Sequence, residues 1–496
     1  MTVIGPTGKA SPLAPDWLDY PEDPNALVTK LWAAGVERND DGEIAVQGLP
    51  ASQLARDYGT PLLVLDEDDF RARARAFRDA FNDAFADLCG GVDVYYAGKS
   101  FLCTPAARWV TEEGLRLDTA SGGEMATALR AGVEPAHIGL HGNNKSDDEM
   151  RRALTAGVGR IVVDSLDELD RLAELAAEVG AVAPVMLRLT PGVHAHTHDF
   201  IATAHEDQKF GLSMAGTGGS VGTDGSVGAA GSAGTAGSPA AEAVARALAA
   251  GSVDLRGLHC HIGSQIFEPE GFGVAAEKLL GFLADIKAEH GVELEELDLG
   301  GGHGIAYTAA DAPRTPQDIA TTLAGVVGAA CEALEMDCPR ISIEPGRAIS
   351  GPAAFTLYEA GVRKTVTVDG DHGATHPRRY VSVDGGMSDN ARPVLYEADY
   401  SVALASRVSG APAVLSRVVG KHCESGDIVV KDAYLPDDVA RGDLLAVPAT
   451  GAYCHSLSSN YNMLTRPAVV AVRGGQARVI IRRETEEDLF ARETGL

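Results

Sequence analysis

The chain has 496 residues, of which 45% are hydrophobic, and a formal net charge of −28. That length exceeds one ordinary domain and supports a large core, so two domains are expected. The acidity argues against a nucleic-acid or anionic-membrane partner, which would need a basic surface, and no run of about 18 apolar residues is present to span a bilayer.

In chain order, the residues before Leu62 hold Trp17, Trp32 and a short apolar run, and residues 1–61 read as a segment that joins another domain. Pro61-Leu-Leu-Val-Leu65 is a strand-like link expected to enter a barrel. Eight short apolar stretches then follow: Val92–Tyr96, Arg116–Asp118, Ile138–Leu140, Ile161–Asp164, Val185–Leu189, Leu255–His261, Leu297–Leu299 and Arg340–Ile343. Helix-forming Ala, Glu, Leu and Arg segments separate them. This is the layout of a (β/α)8 TIM-like barrel over residues 62–350, in which chemistry sits where strands end and the following loops begin. Those ends carry Lys99, Ser121-Gly-Gly-Glu124, Asn143-Asn144-Lys145, Asp164-Ser165, Arg188, His261, Gly300-Gly-Gly302 and Glu344-Pro-Gly346-Arg347, most of them read as functional groups. Residues 215–239 are almost entirely Gly, Ala, Ser, Thr and Val, a tract expected to be a surface loop because it has little to bury.

After Arg347 the alternation of strand and helix stops. Phe355–Tyr358, Tyr380–Val383, Ala413–Val419, Asp427–Val430, Leu444–Val447, Ala468–Val472 and Arg478–Arg482 predict a mainly β domain over 351–496, to which the N-terminal segment is joined. The fold class expected is therefore α/β plus β. The seven cysteines, at 89, 103, 260, 331, 338, 423 and 454, form no CxxC pair and no metal-ligand spacing, so reduced and mostly buried thiols are expected, and no metal. Met1-Thr-Val-Ile-Gly-Pro lacks the pattern of a secretion signal, and a cytoplasmic location is expected.

Lys99 at a strand end is open to three readings: a surface charge, a structural ion pair, or an amine desolvated enough to form an imine. Glu344 favours the last, because a carboxylate beside a pyridine nitrogen keeps that nitrogen protonated and makes pyridoxal phosphate an electron sink. Arg347 offers a bidentate fork to a substrate carboxylate. Gly300-Gly-Gly302 and the backbone through Gly346 let N–H groups approach a phosphate, with Ser264 as a further holder and His261 as a ring that stacks on the cofactor. Gly300-Gly-Gly-His-Gly304 lacks the GxGxxG spacing and no GxxxxGK[ST] occurs, so a nucleotide cofactor is not expected. Cys423 in His422-Cys-Glu424 is either a buried filler or a proton donor, since an ordinary thiol is mostly protonated at neutral pH. Arg392 is equally a surface or ion-pair arginine and a ligand; Tyr396 and Tyr453 supply hydroxyls near cofactor or substrate.

As an ordered set, Tyr96-Ala-Gly-Lys99, His141-Gly-Asn-Asn-Lys145, His205-Glu-Asp-Gln-Lys-Phe-Gly211, His261-Ile-Gly-Ser-Gln265, Gly300-Gly-Gly302, Glu344-Pro-Gly-Arg347, Asp384-Gly-Gly-Met387, Cys423-Glu-Ser-Gly-Asp427 and Gly451-Ala-Tyr453 resemble the diaminopimelate decarboxylases over roughly residues 55–485. That family joins an alanine-racemase-like barrel to a β domain, uses pyridoxal 5'-phosphate, and makes L-lysine and CO2 from meso-2,6-diaminoheptanedioate. The resemblance implies that Lys99 is the imine-forming lysine, that Gly302 and the 344–347 backbone contact phosphate and ring, and that Glu344 partners the ring nitrogen. It further implies substrate contacts at Arg347, Arg392, Tyr396 and Tyr453, a reader of the distal ammonium at Glu424, and a proton donor at Cys423. Cys423 and Glu424 would reach the site from a second subunit, which implies a homodimer with shared active sites. Other decarboxylases of this fold, acting on ornithine, arginine or a carboxylated polyamine, are the nearest rivals, and two arginine forks favour a dicarboxylic substrate. An alanine-racemase-like activity would need no Glu424 reader, and retention of Lys99, Glu344 and Cys423 speaks against a silent regulatory homologue. Two departures from the family pattern are the long repetitive tract after Ser213 and His303, which stands where an aliphatic residue more often follows the glycines and is expected to shift phosphate or ring contacts.

Overall fold

The computed structural model describes residues 10–192, 208–216, 237–369 and 374–495. The chain divides into two compact units: residues 73–304 with 313–346, and residues 1–72 with 305–312 and 347–496. No helix among the described residues is long and apolar enough to cross a membrane.

The first unit is a closed parallel barrel of β1 (Val92–Ala97), β2 (Arg116–Thr119), β3 (Ile138–Leu140), β4 (Arg160–Val163), β5 (Ala183–Thr190), β6 (Val253–His259), β7 (Glu296–Asp298) and β8 (Arg340–Ile343). Pairing runs in chain order from β1 to β8, and Ile341 opposite Val92 closes the ring. The strands are short and mostly buried along their whole length, as parallel strands covered by helices must be. Serine and glycine punctuate the helices between them. Ser121, Ser146 and Ser165 cap helices Gly122–Ala131, Asp147–Ala156 and Leu166–Val179, and Gly132, Gly157 and Gly180 end them in the left-handed conformation.

Several strand-end residues expected to be functional are therefore structural. Ser121 and Ser165 each accept a backbone N–H of the first helical turn, and Glu124 accepts the Ala120 N–H. Lys145 is buried and holds the carbonyls of Gly142 and Val162 at 2.7 and 2.6 Å and Glu168 Oε1 at 2.6 Å. Inside the barrel, Arg160 pairs with Asp298 at 2.5 Å and lies 3.9 Å from the centre of the Tyr95 ring, tying β4, β7 and β1 together.

In the second unit a sheet runs in the order Ile428–Pro436, Ala413–Val419, Thr375–Val383, Ala354–Asp369, Leu62–Asp66, Ala468–Arg473 and Gln476–Ile481. Leu444–Pro448 also pairs with Ala354–Asp369. Leu62–Asp66, expected to lead into the barrel, is instead a central strand here, antiparallel to Ala354–Leu357 and parallel to Ala468–Val472. All five of its residues are buried. A fully buried run reads alike in a barrel and in a sheet interior, which is why its pattern did not separate the two. The N-terminal segment joins the same core: Trp32, Ile44 and Leu54 pack with Leu62, Phe355 and Val470. Residues 217–236, most of the low-complexity tract, and His205 lie outside the described residues.

Candidate active site

The strand ends of the barrel unit enclose a cavity of about 170 Å³ lined by Lys99, Asp118, His141, Arg188, His261 and Glu344, with Phe210 beside Arg188. β1 delivers Lys99 through one turn of 3-10 helix, Gly98–Ser100, which leaves the lysine exposed while Gly98 and Ser100 are buried. β8 delivers Glu344, which is 4% exposed. Gly346 lets its own backbone pack on the end of β1, since a Cβ there would meet Ala97 Cβ and O at 2.9 Å.

Glu344 is the hub of a buried network. Its Oε1 lies 3.0 Å from His259 Nε2 and 3.4 Å from His141 Nε2, and His141 Nε2 is 3.1 Å from Asp118 Oδ1. Burial, reinforced by the charge of Asp118, pushes Glu344 up to about 7. Burial likewise raises Asp118 well above the usual carboxylate range, brings His141 down to about 4 and depresses His259 and His261 well below the ordinary imidazole value. The imidazoles are thus neutral, and Glu344 stands poised to hold or release a proton near pH 7.

Gly300-Gly-Gly302 packs backbone on backbone. A Cβ on Gly300 would meet the Cys260 carbonyl at 2.3 Å, on Gly301 the Glu344 carbonyl at 2.1 Å and on Gly302 the Gly263 carbonyl at 2.2 Å. The Gly301 N–H donates to His261 Nδ1 at 3.2 Å, which fixes the ring that lines the cavity. Ser264 follows on the same loop. This cradle fits pyridoxal phosphate: a lysine amine, a buried carboxyl whose hold on a proton burial strengthens, an imidazole face, and glycines crowded by neighbouring backbone. His303, expected to shift phosphate or ring contacts, turns elsewhere, into an aromatic cage with Phe77 and Phe272 at 5.4 and 5.1 Å between ring centres.

In the second unit Arg347, Arg392 and Tyr453 gather around Tyr307. Arg347 Nη1 donates to the Tyr307 hydroxyl at 2.5 Å, and its guanidinium lies 4.7 Å from the centre of the Tyr453 ring. The Arg392 guanidinium is 4.4 Å from the Tyr307 ring centre and donates to the Tyr400 hydroxyl at 2.7 Å. Both arginines are buried, so the surface reading of Arg392 fails. The buried-filler reading of Cys423 fails too: Cys423 and Glu424 are exposed, on the loop between Ala413–Val419 and Ile428–Pro436, with the Cys423 N–H on Asn462 Oδ1 at 3.0 Å. Of the seven cysteines three are buried, not most. Tyr396 ends the short helix Arg392–Tyr396 and is 36% exposed.

Sequence reading missed Asp118, His141 and His259 as members of the site and Tyr307 and Tyr400 as supports of the arginines. Asp118 and His141 follow or end strand stretches that were recognised, so an inward-facing polar residue at a strand end was their signal. Tyr307 had none, because Ile305–Ala312 interrupts the barrel sequence and folds with the second unit.

The family model for the pyridoxal-dependent decarboxylase pyridoxal binding domain matches residues 67–221 and 232–351, and that for the C-terminal sheet domain of the same decarboxylases matches 353–451. The diaminopimelate decarboxylase of Mycobacterium tuberculosis (strain ATCC 25618 / H37Rv) is 51% identical over 471 residues, covering 94% of this chain and 98% of the relative. That of Corynebacterium efficiens is 47% identical, covering 95% of each chain. The crystal structure of diaminopimelate decarboxylase from M. jannaschii in complex with L-lysine superposes with a TM-score of 0.82 at 30% identity, covering 94% of this chain and 98% of that one.

Proposed function

The chain belongs to the pyridoxal-dependent decarboxylase family, among the diaminopimelate decarboxylases, and on that premise we propose how its residues carry the reaction. It is a lyase that removes one carboxylate of meso-2,6-diaminoheptanedioate as CO2 and leaves L-lysine, a step of lysine biosynthesis, with pyridoxal 5'-phosphate as cofactor. When bound, that cofactor supplies a sink for the electron pair the departing carboxylate leaves behind.

The observation that carries the assignment of roles is the cavity in which an exposed lysine faces a buried carboxyl held near pH 7. Lys99 Nζ is the amine that anchors the cofactor aldehyde. Glu344 would hold a proton toward the ring nitrogen of the bound cofactor, and His259 and His141 orient its carboxyl through contacts at Oε1. These three also bring ligand atoms within 4.8 Å of one another; in this reading they serve the ring nitrogen, not a metal. His261 would back the ring, while Gly302, Ser264 and the Gly346 backbone would hold the phosphate. Arg347 and Arg392, assisted by Tyr396 and Tyr453, bind the carboxylate that stays, and Glu424 reads the distal ammonium. Pairing these groups discriminates against shorter amines, which would leave buried charges unmatched. Cys423 Sγ returns a proton to the carbon that lost its carboxylate.

Cys423 and Glu424 act on the site of a second copy, so the protein works as a homodimer with shared sites. Support comes from the apolar side chains around them: Val394, Leu395, Tyr461 and Met463 are 41 to 54% exposed, and the Tyr461 ring stacks on His422 beside the donor. The cytoplasm fits seven free thiols, which persist in a reducing compartment. CO2 release by the cofactor-loaded protein, offered meso-diaminopimelate, L-ornithine and L-arginine in parallel, tests the substrate. Release from diaminopimelate alone is expected; release from ornithine or arginine instead would keep the chemistry and overturn the substrate.

A further inference from the structure

Two motifs of the second unit, Asp384-Gly-Gly-Met387 and His422-Cys-Glu-Ser-Gly-Asp427, meet at one buried carboxylate. The second motif lies in the connection between the strands Ala413–Val419 and Ile428–Pro436. Its ends, His422 and Asp427, are buried, while Cys423, Glu424 and Ser425 between them are exposed. At Glu424 the bonds stay within the tip, since Ser425 Oγ and the Gly426 N–H both donate to Glu424 Oε1 at 3.4 Å. What fixes the tip must therefore act from its ends or from beside it.

Asp427 Oδ1 accepts the Met387 N–H at 2.6 Å. Its Oδ2 accepts the His422 N–H at 2.8 Å and lies 3.0 Å from His422 Nδ1. The Gly420 N–H closes the connection on the Asp427 carbonyl at 2.9 Å, and the Lys421 N–H ties it to the Gly385 carbonyl at 3.0 Å. A carboxylate that already takes two backbone N–H groups is an acceptor, so Nδ1 donates to it and Nε2 is left bare. Nε2 is buried and has no hydrogen-bond partner among the described residues. An orphan nitrogen in the interior costs stability that a phenyl ring in the same place would not, so what the imidazole adds is its bond to Asp427. The glycines of the first motif make room for this pair: a Cβ on Gly386, whose φ is +152°, would stand 2.5 Å from Asp427 Oδ1 and 2.7 Å from His422 Nδ1. On the other side the 3-10 turn Tyr461–Met463 holds the loop twice. The Tyr461 ring stacks on His422 at 5.5 Å and 4°, and Asn462 Oδ1 accepts the Cys423 N–H at 3.0 Å. Asn462 does so from the left-handed conformation, φ 53°, which asparagine tolerates.

We propose that Asp427, His422 and Asn462 are positioning residues for protonation, holding the loop so that the Cys423 thiol reaches the carbon that lost its carboxylate from one face only. In that step the S–H bond breaks as the C–H bond forms, and the sulfur regains its proton from water. The role rests on Cys423 being the donor. A reacting group misplaced by about 1 Å loses on the order of 10²-fold in rate, and a donor on a slack loop leaves the carbon to water, which can approach either face.

Two substitutions separate the contributions of the imidazole. His422→Phe keeps a ring against Tyr461 and removes the bond to Asp427, whereas His422→Asn sets an amide N–H where Nδ1 stands and removes the ring. In the holoenzyme with meso-diaminopimelate, His422→Phe should lower kcat roughly 10- to 100-fold, and His422→Asn should recover most of that loss. In D2O the unaltered protein and His422→Asn should place deuterium on one face of the new CHD carbon of lysine, and His422→Phe on both, which a mere loss of folded protein would not do. Adding His422→Phe to Cys423→Ala should slow turnover no further, because it acts through the thiol. Asn462→Gly, on an exposed turn, should give the same fall in kcat and the same two-faced labelling, and it carries the test if His422→Phe does not fold. Unchanged kcat in Cys423→Ala would remove the donor itself. With Cys423→Ala slow, one-faced labelling in His422→Phe or Asn462→Gly, or losses that add in the double variant, would overturn the positioning role.

Discussion

His303 is packed against Phe77, Phe81 and Phe272, 3% exposed, and among the described residues neither of its ring nitrogens has a hydrogen-bond partner. Burial alone brings it down to about 4. Its folded value is depressed below the unfolded one, so between about 4 and 6.5 the unfolded chain binds the extra proton and stability falls as the medium is acidified. His303→Leu keeps the volume and removes the titration. It should stabilise the protein at every pH, and by about 2 kcal/mol more at pH 5 than at pH 8. Urea unfolding of the cofactor-free protein at the two pH values measures this, and equal gains at both would show that the histidine is not buried neutral. Cys423 poses the opposite case, an exposed group for which we propose the role of proton donor. Cys423→Ala should lower kcat by roughly 10²- to 10⁴-fold, the usual contribution of a positioned proton donor, and leave the cofactor's absorbance intact. Unchanged turnover would remove Cys423 from the mechanism.

Elements were legible in the sequence wherever one physical cause shaped them. All eight barrel strands fall within two or three residues of the apolar runs that announced them, because a buried parallel strand has to be apolar on both faces. Leu62–Asp66 was misplaced for the same reason, since burial on both faces does not say which sheet a strand joins. Among the residues singled out in the sequence, Lys99, His261 and Glu344 come together around one cavity. The site was opaque where partners come from distant parts of the chain, as with Tyr307 beside Arg347 and Arg392. Lys145 shows how a motif residue can serve an element instead of a substrate. Its buried pair with Glu168 links the loop after β3 to the helix after β4, and Glu168 Oε2 also accepts the Asp164 N–H at 2.9 Å. Removing only the cation strands a buried carboxylate, so Lys145→Met should cost about 3–5 kcal/mol in urea unfolding. Lys145→Met with Glu168→Gln should recover part of that loss, because the neutral amide still accepts from Asp164. A double variant no more stable than the single one would mean the pair is not electrostatically coupled.

At the scale of the whole molecule, the placement of Cys423 and Glu424 makes little sense for a chain acting alone. A proton donor and an ammonium reader belong in a site shielded from water, where charge interactions are strong and a carbanion is not quenched at random. Both are instead exposed on one loop, beside side chains such as Leu395 and Met463 that a soluble surface would rarely gather. Arg347 and Arg392, by contrast, are buried and held by tyrosines. The proposed two-fold dimer would resolve the contrast, since each copy would then offer its loop to the other and receive the same in return. This makes a prediction that does not depend on seeing the interface. Lys99→Ala and Cys423→Ala should each be nearly inactive alone, for different reasons. If one site takes Lys99 from one copy and Cys423 from the other, a hybrid of the two variants carries one site with both residues intact and one with neither. Mixing the variants in equal amounts under conditions that exchange subunits should then restore about a quarter of the unaltered activity, since half the dimers are hybrids with one working site of two. If each site is built within a single chain, no hybrid has an intact site and the mixture stays as inactive as its parts.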